Sequence, residues 1–219
     1  MDALYIIAFV IYPYVVITTF VLGHSYRYAT DRFGWNTRST EILDRGGLRI
    51  GITLFHWGIL ATLFGHAGGL LIPQRVYDSF GVDARIHTLL AVVVGILVGI
   101  LAFVGVSLLL KRRLSQERVK AITGWNQIVT LILLTLAIGT GLYNVFFGGH
   151  NVLISVAPWI RSIVILRPEP SLLVPVPLSY KIHIVFALSI LGFSPFTRLI
   201  HIWSVPVAYL VRRYIMFRN

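Results

Sequence analysis

The sequence predicts an all-α integral membrane protein, a five-transmembrane-helix bundle with its N-terminus outside and its C-terminus in the cytoplasm. Three observations carry that prediction. Hydrophobic residues make up 57% of the 219 residues and charged ones only 12%, against about 25% charged in soluble domains, and mean hydropathy is +0.82. The apolar residues fall in uninterrupted runs long enough to cross the roughly 30 Å hydrocarbon layer of a bilayer. The cations, which bring the formal net charge to +11, are concentrated in the gaps between those runs. A nucleic-acid binder needs its cations on a folded polar surface; here they report topology instead.

The first run, Ala3 to Gly23, lacks the positive n-region and small-residue cleavage site of a signal peptide and is too long for one, so it reads as a retained span, kinked at Pro13. Further spans run from Ile50 to Ile72, Ile86 to Leu110, Trp125 to Phe147 and Leu178 to Trp203. Each is apolar nearly all round, so length rather than periodicity identifies it. Backbone hydrogen bonding in lipid then requires helix, because membrane strands alternate and these runs do not. Asn151 to Leu166, with Pro158 and Arg161 inside it, is too short and broken to cross. It reads as an interfacial or re-entrant segment leading into an extended connection, residues 151–177 in all, since Pro168, Pro170, Pro175 and Pro177 favour polyproline geometry. Residues 204–219 form a tail. The longest gap is about thirty residues, too little for a soluble domain.

Sidedness follows from the cations. Thirteen lie on one side: Arg27, Arg32, Arg38, Arg45 and Arg49 after the first span, Lys111, Arg112, Arg113, Arg118 and Lys120 after the third, and Arg212, Arg213 and Arg218 in the tail. Only Arg75, Arg85, Arg161 and Arg167 lie on the other. Positive residues stay in the cytoplasm, which places the N-terminus outside and the C-terminus inside, in a multi-pass protein of the cytoplasmic (inner) membrane.

With no cysteine in the chain, there is no thiolate zinc site, no iron–sulfur cluster of its own and no covalently attached haem. Seven histidines remain as metal-ligand candidates. His56 and His66 lie on the second span, His183 and His201 on the fifth. Because these spans run antiparallel, His56 and His201 fall near the cytoplasmic face and His66 and His183 near the outer face. Two pairs at two depths suit two stacked b-type haems, each iron taking one imidazole from each helix. The eighteen-residue step from His183 to His201 is five full turns, so both rings leave one face, and the ten-residue step on the second span leaves its rings about 80° apart. The rises differ, roughly 27 Å against 15 Å, with about 20 Å between irons as the compromise once a break at Pro195 is allowed. The competing reading is a pair of interhelical hydrogen-bonding histidines. His24 and His150 read as solvated interfacial residues and not ligands; His87, opening the third span, is a further candidate at the outer site. Gly51 and Gly58, like Gly95 and Gly99, read as helix-packing positions. Gly65 differs, since it precedes His66 and leaves room for a flat ligand.

These residues carry a resemblance. Ile11-Tyr12-Pro13-Tyr14, Leu43-Asp44-Arg45, Phe55-His56-x-Gly58-Ile59-Leu60 with Gly65-His66, Leu109-Leu110-Lys111-Arg112-Arg113-Leu114 and above all Arg198-Leu199-Ile200-His201-Ile202-Trp203-Ser204-Val205-Pro206 resemble the gamma subunit of respiratory nitrate reductase, a dihaem cytochrome b. From Gly148 to Pro177 the likeness is thin. The resemblance implies haem ligation by His56, His66, His183 and His201, paired His66 with His183 for the outer haem and His56 with His201 for the inner. It also implies oxidation of a quinol substrate near the outer haem, with electrons passing to an iron–sulfur beta subunit and a molybdenum-cofactor alpha subunit that reduces nitrate at the cytoplasmic face. The family's quinol pocket has a lysine near the start of the third span, where this chain has Arg85, Ile86 and His87. The quinol contacts expected here are Gly65, His66, Arg85 and His87. Two other functions fit the same residues: the dihaem anchor of another quinone-linked complex, heterodisulfide reductase-like or a reverse-running nitrite oxidiser, and a haem-free membrane scaffold or transporter.

Overall fold

A computed structural model describes residues 2–30 and 46–202. Arg32, Arg38 and Arg45 in the first gap, the Leu43-Asp44-Arg45 segment, Trp203 and the tail 204–219 lie outside the described residues. Every regular element among the described residues is helical. Five helices are long and apolar enough to span: Ala3–Thr30, Leu48–Leu71, Ala84–Ser115, Trp125–Gly148 and Leu178–Phe196. The third outruns its apolar stretch at both ends. Asp83 caps its start by accepting from Ile86 N at 2.8 Å, and its last turns carry exposed Lys111 and buried Arg112 and Arg113. Arg113 donates to Thr123 Oγ1 at 3.0 Å and Gln127 Oε1 at 2.5 Å, tying the third helix to the start of the fourth.

The extensive helix interfaces are second with third, third with fourth, fourth with fifth, and fifth with first. Glycines set the closest of these: a Cβ on Gly58 would fall on the backbone of Ala102, and one on Gly105 on the backbone of Phe55. A Cβ on Gly99 would lie 2.7 Å from the side-chain Cδ2 of Leu142 on the fourth helix. The second and fifth helices have no comparable interface, and the two histidine pairs stand between them. Leu4, Phe64, Leu97 and Phe147 are among many large side chains left exposed along the spans, as a surface solvated by lipid tails requires.

Proline shapes both ends of the chain order. Pro13 has no N–H for the carbonyl of Phe9, four residues back; the helix widens into a π-turn over Ile7–Ile11, and Trp159 Nε1 donates to Phe9 O at 3.2 Å. Trp159 belongs to a short helix, Val156–Val164, packed by Trp159, Ile163 and Val156 into a cluster with Phe9, Leu173, Val176 and Ile184. This helix caps one end of the bundle, and Arg161 Nη1 donates to Leu70 O at 3.0 Å. Residues 151–177 thus differ from the polyproline expectation. Burial of Trp159 and Leu173 folds them into helix and 3-10 turns, with Pro170 in the first turn of Pro170–Leu173.

At the opposite end the fifth span is α-helical only over Leu178–Phe193. It continues as 3-10 turns over Ser194–Phe196 and Arg198–Ile202, separated by Thr197 in an extended conformation at φ −131°, ψ −178°. The unbroken rod used to phase His183 with His201 is therefore absent. Pro195 removes the donor for Leu191 O, Ser194 Oγ takes that carbonyl at 2.7 Å, and the chain turns before reaching His201.

Candidate functional site

Two histidine pairs lie between the second and fifth helices. The ring centres of His56 and His201 are 5.9 Å apart and those of His66 and His183 are 6.1 Å apart. The His66–His183 pair lies toward the cap helix, the His56–His201 pair toward the Pro195 break. All four rings are held by the same nitrogen. His56 Nδ1 faces Ile52 O at 2.8 Å, His66 Nδ1 faces Thr62 O at 2.8 Å, His183 Nδ1 faces Ala137 O at 2.9 Å, and His201 Nδ1 faces Arg198 O at 2.6 Å. A carbonyl only accepts, so Nδ1 carries the proton in each ring and Nε2 carries the lone pair. That is the tautomer a metal ligand needs, with the second nitrogen anchored to a carbonyl.

The spacing also fits a shared metal. A metal–imidazole bond of about 2 Å on each side of one ion separates the ring centres by about 6 Å. Among the described residues no three His, Cys, Asp or Glu side chains gather, so a bare ion has no cage; a haem brings its own equatorial nitrogens and needs only the axial pair. The His183 ring has room because Gly141 of the fourth helix has no side chain: a Cβ there would lie 3.0 Å from His183 Cε1.

The remaining histidines differ. His24 is buried rather than solvated, against the expectation for an interfacial residue: its Nε2 lies 3.2 Å from Ser194 Oγ and its ring 4.7 Å from that of Phe20. His150 Nε2 lies 2.7 Å from Ser155 Oγ. Both serine hydroxyls donate to carbonyls, of Leu191 and Asn151, so each accepts from Nε2–H, and these two rings hold the opposite tautomer from the paired four.

Of the expected quinol contacts, Gly65 is exposed with nothing within 4 Å of its Cβ position, next to exposed His66. Arg85 is exposed on the first turn of the third helix. His87 turns inward to the π-turn Ala67–Leu71 that follows His66: its Nδ1 is 2.8 Å from Gln74 Oε1, its ring 4.4 Å from that of Tyr77, and its Nε2 3.6 Å from the Cβ position of Gly69. Gln74, Tyr77, Gly69, Gly141 and the Ala137 carbonyl all escaped sequence reasoning. Only the Gly68-Gly69 pair directly beyond His66 offered a signal, as a place where another group approaches the backbone closely.

The nitrate reductase gamma subunit family model matches residues 5–219. The nitrate reductase gamma chain of Bacillus subtilis is 40% identical over 213 residues, covering 95% of this chain and 96% of the relative. The respiratory nitrate reductase 1 gamma chain of Escherichia coli is 35% identical over 215 residues, 96% and 95% of the two chains. The nitrate reductase-like protein NarX of Mycobacterium tuberculosis is 38% identical over 213 residues, which span 94% of this chain but 33% of that protein. A match that runs from the first span through both histidine pairs to the last residue makes this chain a member of the nitrate reductase gamma subunit family.

Proposed function

We propose that the chain is a dihaem cytochrome b subunit that oxidises membrane quinol near the outer face and delivers electrons inward to iron–sulfur and molybdenum subunits reducing nitrate in the cytoplasm. The observation that carries this is the matched pair of histidine pairs: two sets of rings about 6 Å between centres, every Nδ1 committed to a backbone carbonyl and every Nε2 left for a metal. When bound, each b-type haem supplies one-electron transfer at an iron closed by two imidazoles, which suits a conduit and leaves no position for oxygen chemistry. His66 and His183 would hold the outer haem, His56 and His201 the inner. Gly65 leaves the flank of His66 open for a flat quinol ring, and His87 and Arg85 supply polar groups at the same end. The cations at the opposite end, with the tail, face the partner subunits. Their attraction is screened over about 8 Å at physiological salt, so apolar tail residues such as Tyr209, Leu210, Tyr214 and Phe217 would complete the contact.

A reduced-minus-oxidised spectrum with haem quantified per chain tests the assignment. Two low-spin b haems are expected in assembled membranes. His66→Ala or His183→Ala removes the outer haem and quinol oxidation; His56→Ala or His201→Ala removes the inner haem and stops delivery to nitrate. One haem or none in the unsubstituted protein refutes the reading, and so does loss of the same single haem from His66→Ala and His201→Ala.

A further inference from the structure

Gln74 opens the short helix Gln74–Asp78 between the second and third spans, and its side-chain amide is fully engaged. Nε2 donates to Asp78 Oδ1 at 2.9 Å and to Val82 O at 3.0 Å, while Oε1 lies 2.8 Å from His87 Nδ1. A carboxylate and a carbonyl only accept, so the amide cannot be reversed: its nitrogen faces them and its oxygen faces the ring. His87 Nδ1 is therefore the protonated nitrogen, and Nε2 holds a lone pair. Among the described residues that Nε2 makes no hydrogen bond. It faces the backbone of Gly69, while Tyr77, packed against the ring at a 43° tilt, carries its hydroxyl to 3.0 Å from the Cβ position of Gly68. Gly68 and Gly69 belong to the π-turn that begins directly after His66. A base with its lone pair selected by a three-bonded amide thus stands one turn beyond the cap-end histidine pair, over two residues without side chains.

We propose that Gln74 is a positioning residue that holds His87 as the proton acceptor for quinol at the His66–His183 site. The inference rests on the quinol-oxidising reading above. Oxidation of a quinol to the quinone breaks two O–H bonds and releases two protons and two electrons. His87 Nε2 takes a proton as the nearer hydroxyl bond breaks; the b-type haem that His66 and His183 would hold would supply the one-electron acceptor for the two electrons. The charged ring keeps its Nδ1–H bond to Gln74 Oε1, which strengthens with the charge. It then gives the Nε2 proton to water at the exposed first turn of the third helix and is restored for the second hydroxyl. The opposite tautomer would present an N–H to the hydroxyl and accept nothing. Arg85, with donors only, cannot take this role. The imidazole of His87 and the phenol of Tyr77 recognise a two-oxygen aromatic ring by hydrogen bonds at its edge, while the engaged Gln74 amide acts only through His87.

The test uses the assembled complex in native membranes and follows haem reduction by a short-chain menaquinol analogue in stopped flow, in H2O and D2O, on samples whose dithionite spectrum shows both haems. His87→Gln should slow saturated haem reduction by about 100-fold, the low end of what a general base contributes. Gln74→Leu should slow it by about tenfold with an enlarged solvent isotope effect and little change in KM, since the base is misdirected rather than removed. Gln74→Glu keeps an acceptor for Nδ1–H but sets its second oxygen against Asp78 Oδ1 and Val82 O, so it should react faster than Gln74→Leu without regaining the unsubstituted rate. Unsubstituted rate and isotope effect in Gln74→Leu overturn the proposal, as does a loss confined to KM. If Gln74→Leu does not assemble, Gln74→Glu and His87→Gln decide it: equal rates in the two overturn the proposal. Failure of quinol to reduce either haem in the unsubstituted complex defeats the quinol reading itself, and this inference with it.

Discussion

Which ring nitrogen a histidine leaves bare decides what it can do. His56, His66, His183 and His201 all give Nδ1–H to a backbone carbonyl and keep Nε2 open, whereas His24 and His150 give Nε2–H to a serine hydroxyl. The carbonyl of Ala137 comes from the fourth helix, so the His183 ring depends on a neighbour without a side chain at the next turn. Gly141→Val would put a branched side chain where a single Cβ already comes within 3.0 Å of His183 Cε1, and the ring would have to leave its carbonyl. Haem per chain, measured by pyridine haemochrome, should fall from two to one, with the surviving spectrum that of the His56–His201 site. Gly65→Val is the control in the same region: nothing lies within 4 Å of its Cβ position, so both haems should be retained while quinol-driven reduction slows. Equal haem content in the two variants would show that Gly141 does not make room for the ligand.

Elements acquire their shape where prolines interrupt them and other parts of the chain take over the freed carbonyls. The Pro195 break is held by three hydrogen bonds from two elements, the first and fourth spans. Arg27 of the first span donates to Pro195 O at 3.0 Å, Asn126 of the fourth donates to Phe196 O at 3.0 Å, and His24 donates to Ser194 Oγ. Since this break aims His201 at His56, the first span supports the His56–His201 pair. His24→Leu removes one buried hydrogen bond, a loss of about 1 kcal/mol, and should lower the temperature at which the inner haem's absorbance disappears while sparing the outer haem. Simultaneous, equal loss of both haems would mean the break is not a local device. The spans and the four paired histidines were legible because apolar length and intramembrane cost are properties of single residues summed along the chain. The same holds for Gly51 and Gly58, which do pack against Leu109 and Ala102 as the stripe suggested. The break expected at Pro195 is found, but its form as 3-10 turns before His201, the cap helix Val156–Val164 and the Gln74–His87 contact were not legible. Each depends on a partner far away in sequence, Phe9 for Trp159, Arg27 for Pro195 and an amide thirteen residues back for His87, and no local pattern encodes such a partner. His24 illustrates the same limit: its position at the end of a run said interface, but Phe20 and Ser194 enclose it.

Orientation belongs to the molecule as a whole, because it decides on which side quinol protons are released and against which field electrons move. With the interior negative, carrying an electron from the cap end to the opposite end costs about 2.3 kcal/mol per 100 mV of membrane potential, so in the proposed direction the quinol-to-nitrate drop is stored partly as charge separation. In the reverse orientation the same transfer would dissipate the potential. The cation count assigns the cap end, with Arg75, Arg85, Arg161 and Arg167, to the outside, and the end bearing Lys111, Arg112, Arg113, Arg118 and Lys120 to the cytoplasm. Because the chain contains no cysteine, introduced thiols report sidedness without background. Ser79 is exposed just beyond the helix Gln74–Asp78, and Glu117 is exposed between the third and fourth spans. In intact spheroplasts, a membrane-impermeant maleimide should label Ser79→Cys and leave Glu117→Cys unlabelled, and Glu117→Cys should become reactive only once the membrane is opened. Neither position touches a histidine pair, so both variants should keep two haems and quinol-driven nitrate reduction. Labelling of Glu117→Cys alone in closed spheroplasts would invert the topology. The His66–His183 pair would then lie at the cytoplasmic side, and outward proton release and inward electron flow would fall together.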